Sequence, residues 1–239
     1  MPRKTRLIRH KKVETPYPND LVIIMEFTNG KVNFSCKLGL LTRPDGSAVL
    51  NEGNTSVLAG VYGPVEVKLQ RLLMDKASVE CHYRPKSGLP GVRDRLYESV
   101  IRNICETSLL ASLYPRTAIL VTLQEIQDSG QLISCAVNAV CLACLNAGID
   151  MKFMFASVTC YLTVDEEITL TPPIMEKNNK ATFVFVFDSS YGKIIASHTK
   201  GTFSEEQFNE AVKLSKEGTE DIFNFFKKAV QNSVKFFTK

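Results

Sequence analysis

Residues 117–148 read TAILVTLQEIQDSGQLISCAVNAVCLACLNAG, and the two halves of this stretch follow different periods. TAILVTLQEI (117–126) is rich in β-branched and large apolar residues, which predicts a strand, and its apolar run predicts cover on both faces. QLISCAVNAVCLACLNAG (131–148) is small and apolar nearly all round. That pattern predicts a helix without a solvent face, and Gly148 stands where a left-handed C-cap belongs. A strand feeding a buried helix points to an α/β domain whose helices pack on sheet.

Working outward, SVECHYRP (78–85) predicts a short strand, and the loop PKSGLPGVRD (85–94) leads into a helix from about Arg95 to Leu113. Its apolar positions Leu96, Val100, Ile104, Leu109 and Leu113 keep a helical period, while Glu98 and Arg102 are spaced to pair on the exposed side. Towards the N-terminus, LVIIMEF (21–27) and KVNFSCKLGLL (31–41) flank the turn Thr28-Asn29-Gly30 as a hairpin. Asp45-Gly46 supplies turn chemistry, and TSVLAGVYGPVEVKL (55–69) is a long strand bent at Gly63-Pro64. Towards the C-terminus, FMFASVTCYLTV (153–164), ATFVFVFD (181–188) and KIIASHTK (193–200) are strands. A last helix opens with Ser204 and Gln207 in capping-box spacing, and Phe208, Val212, Ile222, Phe225 and Ala229 give it one apolar face. The order strand-helix-strand-helix-strands-helix, with no linker or repeat, predicts one α/β domain over 21–239.

Six cations (Arg3, Lys4, Arg6, Arg9, Lys11 and Lys12) precede the first acid, Glu14. They exceed the net charge of +4 and leave the rest of the chain at −2. Residues 1–20 therefore read as a basic tail: a phosphate-binding arm, a nuclear address or a solvated disordered end. No apolar run approaches the ~20 residues of a membrane span. The basic start lacks an apolar signal core, and the seven cysteines then predict free buried thiols in a reducing compartment. Cys141-Leu-Ala-Cys144 has redox spacing but sits inside the apolar helix pattern, so structural thiols are expected. His10, His82 and His198 lack metal-ligand spacing, and His198 reads as structural. No metal site and no cofactor are expected. Gly88-Leu-Pro-Gly91 reads as a shaped turn.

Several segments, in order and at matching spacing, carry a family resemblance: LLTRPDGSA with GNTSVLAGVYGPVEVK, RPKSGLPGVRDRLYESVIRN, PRT, QDSGQLISCAVNAVCLACLNAGI and SHTKGTFS. From about Cys36 to Lys228 the chain resembles the RNase PH superfamily and, within it, the ring subunits of the eukaryotic RNA exosome. The resemblance implies a two-sheet RNase PH-like α/β fold, shared with a domain of a ribosomal small-subunit protein. It also implies a ring of six RNase PH-like chains threaded by single-stranded RNA, topped by RNA-binding cap subunits and serving a hydrolytic nuclease docked below. The role implied is 3′ to 5′ RNA processing and degradation, including ribosomal RNA maturation, in nucleus, nucleolus and cytoplasm, with no membrane partner.

Active members resembling this chain hold phosphate with a Gly-Gly-Thr-Arg segment at the start of the second helix, where backbone amides assist. The matching stretch here is Asp128-Ser129-Gly130-Gln131-Leu132, so Leu132 stands in the arginine position. Active members also carry two acids about six residues apart. The matching LTPPIMEKNNKATFVF offers Lys177 for the first and Thr182 or Phe183 for the second, with Glu176 the one acid nearby. Phosphorolysis needs a preorganised phosphate site and an acid for the leaving oxygen, so the resemblance implies a chain that is not an enzyme. The alternative is an active 3′ to 5′ exoribonuclease, phosphorolytic or metal-dependent, working as a homodimer. Lys68, Arg71, Arg84, Lys86, Arg93 and Arg95 are candidate RNA contacts or else a solvated charged surface. Tyr83 and Tyr97 are candidates for stacking on bases or for a subunit interface.

Overall fold

The structure is a computed structural model and describes residues 21–27, 30–67, 69–164, 166–170 and 179–237. The tail 1–20 and the residues Thr28, Asn29, Lys68, Glu176 and Lys177 lie outside the described residues.

A six-stranded sheet, in the order β1-β2-β3-β4-β6-β5, is built from β1 (Leu21–Phe27), β2 (Gly30–Leu38), β3 (Gly46–Glu52), β4 (Thr55–Glu66), β5 (Ser78–Arg84) and β6 (Thr117–Gln127). Its neighbours are antiparallel except β5 and β6, which run parallel and are joined through α1 (Val92–Ser108), because a parallel pair needs a crossover connection. A second sheet, antiparallel and four-stranded in the order β10-β9-β7-β8, is built from β7 (Phe155–Thr163), β8 (Ile168–Thr169), β9 (Asn179–Asp188) and β10 (Ile194–Gly201).

Helix α2 (Leu132–Ala147) leaves β6 and fills the space between β3 and β4 of the first sheet and β7 of the second. Every residue from Leu132 to Cys144 is buried, as its all-round apolar composition predicts. Gly148 caps it in the left-handed conformation, φ 70°, with its N–H on the carbonyls of Cys144 and Leu145. Small side chains let the helix approach the sheet closely. A Cβ added at Gly46 would stand 2.4 Å from both the Ala143 carbonyl oxygen and the Ala147 nitrogen. Gly46 is thus a close-approach residue at the start of β3 and not the turn residue that its sequence context predicts. Asp45 instead accepts a hydrogen bond on Oδ2 from the Gly63 N–H at 2.9 Å, beside the register shift of β4 against β6 between Tyr62 and Val65.

A polar knot joins the three layers. Asn138 on α2 binds the Ser157 backbone of β7 through both amide atoms, Nδ2 to the carbonyl at 2.9 Å and Oδ1 from the N–H at 2.8 Å. Glu52, 4% exposed at the end of β3, has both carboxyl oxygens 3.1 Å from Ser134 Oγ, which is also 3.2 Å from the Ser157 carbonyl. Burial pushes the Glu52 carboxyl up to about 8, against hydrogen bonds from Ser134 and Asn138 that act the other way. A protonated Glu52 completes the chain of donors, its own O–H bonding Ser134 Oγ while the serine hydroxyl donates to Ser157.

Two expectations change in detail. On β6, beyond the buried Ala118, one face is buried (Ile119, Val121 and Leu123), with Leu120 and Thr122 half-buried and Ile126 exposed. It is β7 that is buried from Phe155 to Leu162. The difference is layering: β7 lies between α2 and α3 (Glu205–Phe237), whereas β6 has helices on one side alone. Helix α1 starts at Val92, three residues before the predicted Arg95, and ends at Ser108. Asp94 Oδ2 accepts the Gly91 N–H at 2.8 Å and sets that start. Its core face is Tyr97, Ile101, Ile104, Cys105 and Ser108, leaving Leu96 and Leu113 exposed. Glu98 does not serve Arg102 but accepts the Tyr83 N–H of edge strand β5 at 2.8 Å, and Arg102 lies 4.0 Å from Glu106.

Helix α3 opens with the predicted capping box, Ser204 N–H on Gln207 Oε1 at 3.0 Å and Gln207 N–H on Ser204 Oγ at 3.3 Å. It covers the second sheet, where Ser215 Oγ meets Cys160 Sγ at 2.8 Å and Phe208 packs 5.4 Å from Phe185. Further along, Phe225 reaches Phe34 of β2 at 5.8 Å. All seven cysteines are free and buried. No described helix is long and apolar enough to cross a membrane.

Candidate functional site

The register of the second sheet decides which side chains can share a site. Pairing aligns His198 with Val184 and Thr159, and Lys200 with Thr182 and Tyr161, in two adjacent cross-strand rows. Residues two apart on a strand share a face, so these rows lie on one side of the sheet. The intervening row, Thr199, Phe183 and Cys160, faces α3.

The two polar rows floor a cleft of about 390 Å³. One wall is the first turns of α1, through Arg93 and Tyr97; the other is Asp128, Ser129 and Gly130 with Leu132 and Ile133 of α2. The N-terminus of α2 therefore opens on the cleft, where its first amides have no partner within the helix. Arg93 Nε donates to the Tyr97 hydroxyl while its guanidinium lies over the Tyr97 ring, 5.4 Å from the centroid. The Tyr97 bond raises the guanidinium's pKa, so Arg93 stays charged. Burial pushes the Tyr97 phenol up and keeps it neutral. Behind it, Tyr83 packs edge-on at 5.8 Å and donates its hydroxyl to Glu125 Oε2 at 2.6 Å. Tyr83 and Tyr97 are 1% and 5% exposed, so they brace Arg93 and present no open ring face for a base.

The sequence candidates divide sharply. Arg93, Leu132 and Thr182 meet in the cleft. Between the two alternatives for the second acid position, Thr182 faces the cleft and Phe183 is fully buried on the other side. Arg71 lies on β5's outward face, its Nη1 2.7 Å from Glu80 Oε2, with His82 Nε2 3.8 Å from the same oxygen. Arg84 shares that face by alternation, and Lys86 is exposed in the following loop. Arg95, two residues beyond Arg93, points about 200° away around the helix. None of these four lines the cleft. Lys68, Glu176 and Lys177 fall outside the described residues.

Lys180, His198 and Lys200 line the cleft and were not singled out by sequence as site residues; His198 in particular reads there as structural. The signal that finds them is the two-residue alternation of His198 and Lys200, once β10 is placed in register against Thr182. Lys180 Nζ sits 3.4 Å from Glu166 Oε1. Among the described lining residues Asp128 is the one carboxylate, and its Oδ1 accepts the Gly130 N–H at 2.8 Å. At the floor, Thr159 is 1% exposed and its hydroxyl has no hydrogen-bond partner among the described residues; the same is true of Asn179 Oδ1. Among the described residues no three His, Cys, Asp or Glu side chains gather to hold a metal ion. The cleft combines cations, a helix N-terminus and a polar floor, an arrangement that attracts phosphate-like anions.

A family of this architecture is found by comparison. Residues 33–150 match the model of the 3′ exoribonuclease family, domain 1, the RNase PH family. The chain is 30% identical over 217 residues to an Arabidopsis thaliana exosome complex exonuclease RRP46 homolog, covering 83% of this chain and 91% of that protein. The chain belongs to the RNase PH family. Within it, the chain is similar to Schizosaccharomyces pombe exosome complex component rrp46, at 32% identity over 72% of this chain and 78% of that protein. Its fold matches the crystal structure of rice (Oryza sativa) Rrp46 with a TM-score of 0.78, at 32% identity, over 83% of this chain and 94% of that one.

Proposed function

We propose that this chain is a non-catalytic RNase PH-like ring subunit of an RNA exosome core, forming scaffold and RNA path for 3′ to 5′ RNA processing and degradation. The observation that carries this reading is the match to Rrp46-type exosome proteins over more than four fifths of the chain, together with what lines its cleft. Leu132 and Thr182 both line the cleft, and in this reading they stand where active relatives carry a phosphate-ligating arginine and one of two acids. In this reading residues 21–239 are one RNase PH-like domain behind a basic tail. Its partners are the other ring chains, RNA-binding cap subunits and, indirectly, a hydrolytic nuclease. It works in nucleus, nucleolus and cytoplasm, including ribosomal RNA maturation. Arg93 is the candidate RNA contact best supported by position, while Lys68, Arg71, Arg84, Lys86 and Arg95 are contacts only if RNA crosses the outer surface.

Native mass spectrometry of the protein drawn gently from its own cells tests the assembly. A heteromeric complex with five other RNase PH-like chains is expected, and recovery of only monomer or homodimer at physiological salt sinks the proposal. Catalytic inertness has its own assay, single-stranded RNA incubated with the pure chain, phosphate and Mg²⁺. Neither shortening of the RNA nor release of nucleoside diphosphates is expected.

A further inference from the structure

The cleft's electrostatics are unbalanced for a site that only guides a passing strand. Arg93 and Lys200 converge on it from α1 and β10, joined by Lys180 of β9, whose Nζ is also 3.4 Å from Glu166 Oε1. The imidazole of His198 is a further hydrogen-bonding group. Asp128, the one carboxylate among the described lining residues, is already bonded to the Gly130 N–H. A groove that tracks RNA sets its cations in a line along the backbone. Here they surround a pocket closed on one side by the N-terminus of α2, whose first amides favour an anion. At its floor the buried Thr159 hydroxyl and the Asn179 carbonyl oxygen lack hydrogen-bond partners among the described residues.

We propose that this cleft binds a terminal phosphomonoester, the 3′-phosphate of a single-stranded RNA, in preference to a 3′-hydroxyl end. A phosphomonoester carries a charge of about −1.5 to −2 near neutral pH and three acceptor oxygens, whereas an end bearing a hydroxyl brings only the single charge of its last phosphodiester. Arg93 is pre-positioned by Tyr97, which is itself braced by Tyr83, so little side-chain freedom is lost on binding. His198 and Lys200 come from the same strand and approach the anion from the sheet side. The geometry asks for no bond making or breaking. The inference rests on the RNA-path reading above and adds to it the chemical identity of the bound end.

The test uses the full chain and two labelled single-stranded RNAs that differ only in a 3′-phosphate or a 3′-hydroxyl, with inorganic phosphate as competitor. The phosphorylated end should bind about tenfold or more tightly, the scale of one or two added charge-assisted hydrogen bonds. The double substitution His198→Gln and Lys200→Gln should weaken both ends, the phosphorylated one by far the more, and so bring the two affinities together. Equal affinities in the native protein, or a preference that survives the double substitution, overturn the proposal, as does failure of both RNAs to bind. If inorganic phosphate binds and protects the cleft while the two RNA ends bind alike, the pocket takes the free ion and the RNA-end assignment falls. The comparison of ends needs no variant, so a misfolded double variant does not rescue the idea. Equal binding of both ends by a chain that native mass spectrometry still finds in the ring would remove this inference and leave the proposed function standing.

Discussion

The two faces of the four-stranded sheet are made by alternate residues of the same strands, yet they have opposite chemistry. Towards α3 stand Phe183, Phe185 and Phe187, each at most 1% exposed and joined by Phe208 in a continuous aromatic layer. Towards α1 and α2 stand Ser157, Thr159, Tyr161 and Thr182, with the Glu52 knot beside them. Apolar burial supplies the stability of the first face, at about 25 cal/mol per Å². The second face holds polar groups that must find partners or cost free energy. A sheet can carry an open site on one side because its other side is fastened so thoroughly.

Breaking the aromatic face should have the largest effect. Phe185→Ala should cost about 3–5 kcal/mol, the usual range for a buried phenylalanine, read as a lower denaturant midpoint at unchanged slope. A loss under 1 kcal/mol would mean that α3 is not the sheet's main fastening.

The polar face should reveal itself through pH. The folded carboxyl of Glu52 titrates near 8 against an ordinary value of 4.5, so the folded state keeps a proton that the unfolded chain releases. Its contribution is full below about 4.5 and is lost as pH rises towards about 8, with a slope of at most ~1.4 kcal/mol per pH unit. Glu52→Gln should remove that slope, leaving stability near native at pH about 4.5 and higher than native near pH 8. Identical pH profiles for the two proteins would refute a protonated knot.

At the cleft, stability effects should shrink and catalysis should not appear. Thr182→Val changes a half-buried position and should shift stability by less than about 0.5 kcal/mol. Leu132→Arg should leave RNA uncut in phosphate and Mg²⁺ if, as proposed, Lys177 replaces one of the acids of active relatives. Phosphate-dependent release of nucleoside diphosphates by the native chain, abolished by Glu176→Gln, would make the chain an enzyme after all.

Much of the fold could be read from local chemistry. The small apolar run of α2, the Gly148 cap and the Ser204–Gln207 box are short-range signals, and each appears where the residues place it. What could not be read depends on layers and register. β6 and β7 are both apolar runs, and only the position of α3 decides which is covered twice. His198 and Lys200 are ordinary strand residues until β10 is set against β9, and the choice between Thr182 and Phe183 is a parity that composition does not encode. Leu132 and Arg93, singled out from motif position, both line the cleft. Arg95 is grouped with Arg93 because the helix is expected to begin at Arg95, not Val92, which sets the two side by side at the junction of loop and helix.

The seven cysteines, all buried and none in a disulfide, have a practical consequence. Burial raises the thiols of Cys81, Cys141 and Cys160 to about 12 and those of Cys105 and Cys135 well above their ordinary value, so at these five positions the folded chain disfavours the reactive thiolate and restricts access. The protein therefore contains its own chemical clock. A thiol-reactive dye would stay colourless against the intact fold, and each count of label would record one excursion in which the core came open.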